Sequence, residues 1–222
     1  MSHASILLLL IITSCTNNKS SDQLTGTEII NKSIHYHDPN DEWKELNAIF
    51  IFEDSLPAPR PSRSYTVLFD NIHSSIKYAI DGSKYTVMQD SVLVEDGEIG
   101  KEQALRMRDY YTFLWGLPMK LKDHGTIIDD GVNHVSLKGL KYYEVRVPYE
   151  KDIWYFYLDP ETFRLAAYKF YQDEPNQKGE IIYLSGERKV GGLIIPANRT
   201  WYRTEKPEFL GTDKLIDIKA RN

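Results

Sequence analysis

The chain has 222 residues and a formal net charge of -5 at pH 7, with 27 Lys and Arg against 32 Asp and Glu. That length suffices to bury most of its apolar surface in one core, and scattered, net-acidic charge gives no basic field to concentrate polyanions, so nucleic acid is excluded as an expected partner. With one cysteine in the sequence, a fold stapled by intramolecular disulfides is excluded as well.

The first element is an uninterrupted apolar run from Ile6 to Ile12, far shorter than the roughly 20 residues that a helix needs to cross a bilayer. Small residues Thr13 and Ser14 then precede Cys15, and signal peptidases admit only short side chains near their cut. The pattern predicts a lipobox, with residues 1–14 as signal peptide and Cys15 as the lipidated residue. Met1 to Ser5 depart from the usual leader in carrying no Lys or Arg. Residues 15–24 read as the lipidated cysteine and a flexible tether, because Asn17 to Thr25 is rich in Ser, Asn, Thr and Gln and has almost nothing to bury. Several acyl chains on one residue hold a protein firmly where a single chain holds it marginally. The expected address is therefore a membrane face of the cell envelope, either periplasmic or at the outer surface, with the membrane itself as a partner through Cys15.

After the tether, Thr25 and Glu28 have capping-box spacing, and Ile30, Ile34 and His37 follow at helical intervals until Asp38-Pro39 ends the pattern. Ala48, Phe50 and Phe52 then alternate with Ile49, Ile51 and Glu53, a strand stopped by the segment Pro57 to Pro61. Further strands are expected over 64–69, 76–80, 84–89 and 92–95, with Asp81-Gly82 as a tight hairpin turn. From Gly100 to Leu117 the rhythm changes: Ala104, Met107, Tyr111 and Leu114 recur at helical spacing, and Gly116 with Pro118 supplies the stop. The distal end of this helix is crowded with Tyr110, Tyr111, Phe113, Leu114, Trp115 and, just beyond, Met119. Such a cluster fits either a plug of the domain's own core or a lid over an apolar cavity.

A polar loop over 122–133 leads into a second strand run, expected at 134–137, 142–147, 154–158, 165–171, 180–188, 193–202 and 209–218. Lys138-Gly139, Asp159-Pro160-Glu161-Thr162 and Gly191-Gly192 supply the reversals, so antiparallel pairing is expected throughout. Trp154, Tyr155, Phe156 and Tyr157 put rings on both faces of one strand, which predicts a cover over the outward face, for which the 100–115 helix is the available element. The fold class is α+β, mainly β: a curved antiparallel sheet or half-open β-barrel with an N-terminal helix and an inserted helical lid.

That layout behind a lipobox resembles the lipoprotein-localisation factor (LolA/LolB-like) superfamily, whose half-open barrel and helical lid hold acyl chains. More specific strings are Tyr36-His37-Asp38-Pro39 with Trp43 after it, Leu117-Pro118-Met119-Lys120-Leu121-Lys122-Asp123, Tyr157-Leu158-Asp159-Pro160-Glu161-Thr162, and Ile195-Pro196 followed by Arg199-Thr200-Trp201-Tyr202. Together they resemble an uncharacterised family of Bacteroidota lipoproteins. The resemblance implies a single half-barrel domain over residues 25–222 and carries over no activity.

Signatures of common chemistry are missing: the sequence has no Gly-x-Ser-x-Gly elbow and no glycine-rich phosphate loop after a strand. His35, His37 and Asp38 could share a metal only if the helix had ended first, because helical neighbours two apart point about 200° away from each other. The alternative is that Asp38 begins a turn while His37 packs. Asp123-His124 with Asp129, Asp130 and Asn133 lacks the alternate spacing of a calcium loop and reads as a solvated loop. Glu95, Asp96, Glu98, Asp173 and Glu174 read first as charged turn residues.

The expectation is accordingly a non-enzymatic module without metal or cofactor, binding an acyl chain or other amphiphile, with Trp43, Trp115, Met119 and Trp154 among the residues that would line its cavity. The competing expectation is an interaction protein with a self-filled barrel that meets a protein or glycan through its loops.

Overall fold

The computed structural model describes residues 23–80 and 82–221. Cys15, the apolar leader, most of the tether and Asp81 of the expected hairpin turn lie outside the described residues.

Helix α1 (Gly26–His37) starts on the predicted capping box: Glu28 N donates to Thr25 Oγ1 at 3.2 Å and Thr25 N donates back to Glu28 Oε2 at 2.8 Å. Two orphan amides are thereby satisfied, and Ile29, Ile30 and Ile34 point one apolar stripe into the core. Asp38 ends the helix and turns the chain, its carboxylate accepting from the amides of Glu42 at 2.7 Å and Trp43 at 3.0 Å to shape a single 3-10 turn.

Five strands follow as an antiparallel meander: β1 (Asn47–Asp54), β2 (Arg63–Asp70), β3 (Ser75–Ile80), β4 (Ser83–Met88) and β5 (Ser91–Asp96). Helix α2 (Lys101–Trp115) and a 3-10 turn at Met119–Lys122 separate them from β6 (Val132–Leu137), β7 (Leu140–Pro148), β8 (Ile153–Leu158), β9 (Leu165–Asp173), β10 (Lys178–Val190), β11 (Leu193–Arg203) and β12 (Phe209–Ala220). All twelve strands form one antiparallel sheet in the order β5-β4-β3-β2-β1-β12-β11-β10-β9-β8-β7-β6. The two meanders join where β1 pairs with β12, Phe50 opposite Ile218. The sheet is curved and open, and both helices pack on its concave side, so alternate residues of each strand face a shared core. Among the described residues no helix is long and apolar enough to cross a membrane.

One expectation is corrected by this arrangement. Helix α2 meets only the Trp154 and Phe156 side of β8. The outward side carries Tyr155 and Tyr157 and is covered by its own neighbours: Lys169 Nζ lies 4.5 Å from the Tyr155 ring, and Lys138, at the tip of the β6–β7 hairpin, lies 3.5 Å from the Tyr183 ring. A β-hairpin that outruns its partner strand can curl across the sheet, because Leu137 to Leu140 extend past the last residue of β8 that pairs with β7.

Candidate functional site

Helix α2 presents two unlike faces. On one, Tyr111 and Trp115, a turn apart, sink into the first meander, where the Trp115 ring lies 4.7 Å from Phe52 and Tyr111 lies 5.2 Å from Tyr78. On the other, Tyr110, Phe113 and Leu114 wall a cavity of about 740 Å³ between the helix and strands β8 to β12.

Position along α2 is fixed by hydrogen bonds to its carbonyls. Tyr78 Oη donates to Met107 O at 2.8 Å, and Arg199 Nη2 donates to Leu114 O at 3.0 Å. Arg199 is fully buried, stacks on the Trp115 ring at 3.4 Å and also donates to Pro196 O. A guanidinium at a helix C-terminus meets the negative end of the macrodipole, which offsets part of its desolvation. Burial still lowers its pKa below the ordinary arginine range.

The cavity walls are aromatic. Trp154 stacks on Phe170 at 4.8 Å, Phe113 meets Trp154 edge-on at 5.1 Å, and Trp201 lies parallel to Tyr110 at 6.1 Å. Leu56 and Pro57 from the β1–β2 loop, with Leu210 and Gly211 from β12, complete the rim. At about 740 Å³ the volume is that of ligand pockets, roughly 300–1,000 Å³.

Charged groups interrupt this surface, five acidic and two basic. Asp213 occupies an inward position on β12, two residues before buried Leu215, and accepts from Trp201 Nε1 at 2.9 Å. Burial, reinforced by the like charge of Asp54, pushes the Asp213 carboxyl up to about 7. Burial also raises Glu180 and Asp152 at the same cavity. Arg203 is bound to Glu208 at 3.1 Å, and Arg60 donates to Leu210 O at 2.8 Å.

The four aromatic and thioether residues singled out from sequence separate. Trp154 lines the cavity. Trp115 and Met119 are buried in the closed part of the core. Trp43 lines a smaller cleft of about 310 Å³ with Phe69, Thr112 and Lys120. The histidine pair does not converge: His35 is exposed, whereas His37 is buried, with Nδ1 donating to Ile194 O at 2.7 Å and Nε2 accepting from Leu165 N at 3.1 Å. Both ring nitrogens are used by one neutral tautomer, and burial lowers the His37 pKa to about 4. Asp129 and Glu174 are taken by Arg146, at 3.0 Å each. Among the described residues no group of three or more metal-ligating side chains converges. Sequence reasoning passed over Phe170, Asp213 and Glu180; for Asp213 the signal was available, since an acidic residue in the inward phase of an alternating strand breaks the pattern.

Three crystal structures share this fold. A LolA superfamily protein from Nitrosomonas europaea matches with a TM-score of 0.56 at 13% identity, over 90% of this chain and 95% of the other. A DUF1329 family protein from Desulfovibrio piger matches with a TM-score of 0.54 at 9% identity, over 89% and 94%. A putative outer membrane lipoprotein-sorting protein domain from Vibrio parahaemolyticus matches with a TM-score of 0.53 at 9% identity, over 87% and 92%. At these identities the likeness is one of fold. No curated protein matches the sequence. One family model does match, over residues 86–217, and by it the chain belongs to DUF6503, a family of unknown function.

Proposed function

We propose that this protein is a membrane-anchored lipoprotein of the cell envelope that binds an acyl chain or similar amphiphile in the cavity beneath α2, without catalysing a reaction. The observation that carries the reading is the cavity itself: about 740 Å³, walled by Phe113, Trp154, Phe170 and Trp201, beside a helix pinned at two carbonyls. Aromatic walls interrupted by charged groups suit a ligand whose body is hydrocarbon and whose end is polar. The likeness in fold to a lipoprotein-sorting domain agrees with it. The anchor would be lipid on Cys15, behind the apolar run Ile6 to Ile12.

Uptake of the environment-sensitive dye N-phenyl-1-naphthylamine by detergent-free protein tests the cavity. Dye fluorescence should rise on mixing, and Leu56→Trp, which fills the rim, should weaken uptake by about tenfold. A protein that leaves the dye dark has no accessible cavity, and the reading is then wrong. The anchor is tested separately by Cys15→Ala, which should move the protein from the membrane fraction to the soluble one.

A further inference from the structure

Resting on that reading of the cavity, we propose that it selects amphiphiles with a cationic head, a protonated alkylamine or quaternary alkylammonium, over those with an anionic head. Two independent features of the lining support the assignment.

The first is charge. Asp152, Glu180 and Asp213 all line the cavity, and among the described residues none of them forms an ion pair. The cations at the same rim are already engaged there: Arg203 is held by Glu208 at 3.1 Å, and exposed Arg60 donates to the Leu210 carbonyl at 2.8 Å. Asp213 receives one hydrogen bond, from Trp201 Nε1, on Oδ2. A carboxylate, sulfate or phosphate head entering here would meet like charge in a site where burial weakens solvent screening, whereas an ammonium would supply the missing counter-charge.

The second feature is the rings. Tyr110, Phe113, Trp154, Phe170 and Trp201 line the same cavity as the three carboxyls, and Trp201 also donates its Nε1–H to Asp213. Ring faces beside carboxylates form the surroundings in which alkylated ammonium groups are desolvated at low cost.

The test uses the full purified chain and displacement of N-phenyl-1-naphthylamine by three twelve-carbon probes below their micellar concentrations: dodecyltrimethylammonium, dodecanesulfonate and dodecanol. The first two keep their charge at every pH used. At about pH 8, dodecyltrimethylammonium should displace dye at about tenfold lower concentration than dodecanesulfonate, with dodecanol between them. Equal or tighter binding of the sulfonate overturns the selectivity and leaves the cavity reading intact. Absence of dye uptake together with no binding of any probe defeats the cavity reading, and the selectivity with it. The double variant Asp213→Asn and Glu180→Gln should narrow the preference to about twofold or less.

Should that variant fail to fold, the wild-type preference at about pH 5.5 replaces it, since Asp213 takes a proton below about 7. The groups facing Asp213 are Asp54 from β1, Tyr65 and Arg63 from β2, Tyr110 and Tyr111 from α2, Tyr168 from β9 and Arg199 from β11. The arginines remain charged and the tyrosines neutral over this range, so a narrowed preference reports the carboxyls. A preference unchanged on acidification assigns the selectivity to something other than Asp213 and overturns its role.

Discussion

The two halves of the concave face are built from the same materials and finished differently. Against β1 to β4, the Tyr111 and Trp115 face of α2 meets Phe50, Phe52, Tyr65 and Tyr78 ring to ring, and the space closes. Against β8 to β12, the Phe113 face of the same helix meets Trp154, Phe170 and Trp201 with about 740 Å³ left between them. One helix therefore serves as plug and as lid, on opposite sides. A closed half fixes where α2 lies, and a helix so fixed can roof an open half without collapsing into it.

The largest effect expected from this division is on stability at the closed side. Trp115→Ala removes a ring that is 1% exposed and packs on Phe50, Phe52 and Arg199. Its cost should be about 3–5 kcal/mol in a urea titration. A loss below about 1 kcal/mol would mean that the closed half does not hold the helix.

Next comes pH, because the two ends of the β8 to β12 half carry opposed titrations. His37 is depressed to about 4, so the unfolded chain binds its proton first and stability falls as pH drops from about 6.5 toward 4. Asp213 is raised to about 7, so the folded chain binds its proton first and stability falls as pH rises from about 4 toward 7. Between those limits the two slopes offset one another. Asp213→Asn should unmask the His37 slope, so that acidification from about pH 7 to about pH 5 costs about 2 kcal/mol more in the variant than in the wild type. Parallel curves for the two proteins would show that Asp213 does not titrate as the cavity geometry requires.

The strands were readable from sequence because half-buried strands alternate, as Ala48, Phe50 and Phe52 do, and because Gly116 and Pro118 stop α2. Two of the specific strings proved to be caps and turns, and the one from Ile195 to Tyr202 lies within β11. Asp38 caps a 3-10 turn, and Asp159 Oδ1 accepts from the amides of Glu161 and Thr162. Such chemistry is local and shows in a short window. The cavity is not local. Phe113, Trp154, Phe170 and Trp201 come from four elements, and whether aromatic rings close up or stay apart depends on the curvature of the whole sheet, which no window of sequence contains. Hence Trp154 and Trp115 end differently, one at the cavity and one sealed against the first meander.

A smaller and more selective effect is expected at the open side. Phe113 is half-buried, lines the cavity beside Trp154 and also meets Tyr149 edge-on. Phe113→Ala should cost less stability than Trp115→Ala while weakening dye binding by about tenfold, near 1.4 kcal/mol. If both variants lost stability equally and binding equally, plug and lid would be one structure and the division would dissolve.

The smallest effect separates the cavity from the far end of the same half. Helix α1 packs on β7 and β11 near Leu165 and Ile194, whereas the cavity lies toward Trp154 and Trp201, at the opposite ends of those neighbouring strands. Thr25→Ala removes the hydroxyl that accepts from Glu28 N, leaving the backbone amide at position 25 to donate to Glu28, and should cost about 1 kcal/mol. Dye affinity should not move, because no residue of α1 lines the cavity. Global stability and ligand affinity would then respond to different ends of one sheet, as expected where α1 seals one end and the loops before β2, β8 and β12 leave the other open. A Thr25→Ala protein that lost dye binding in proportion to its stability would instead make α1 part of the binding apparatus.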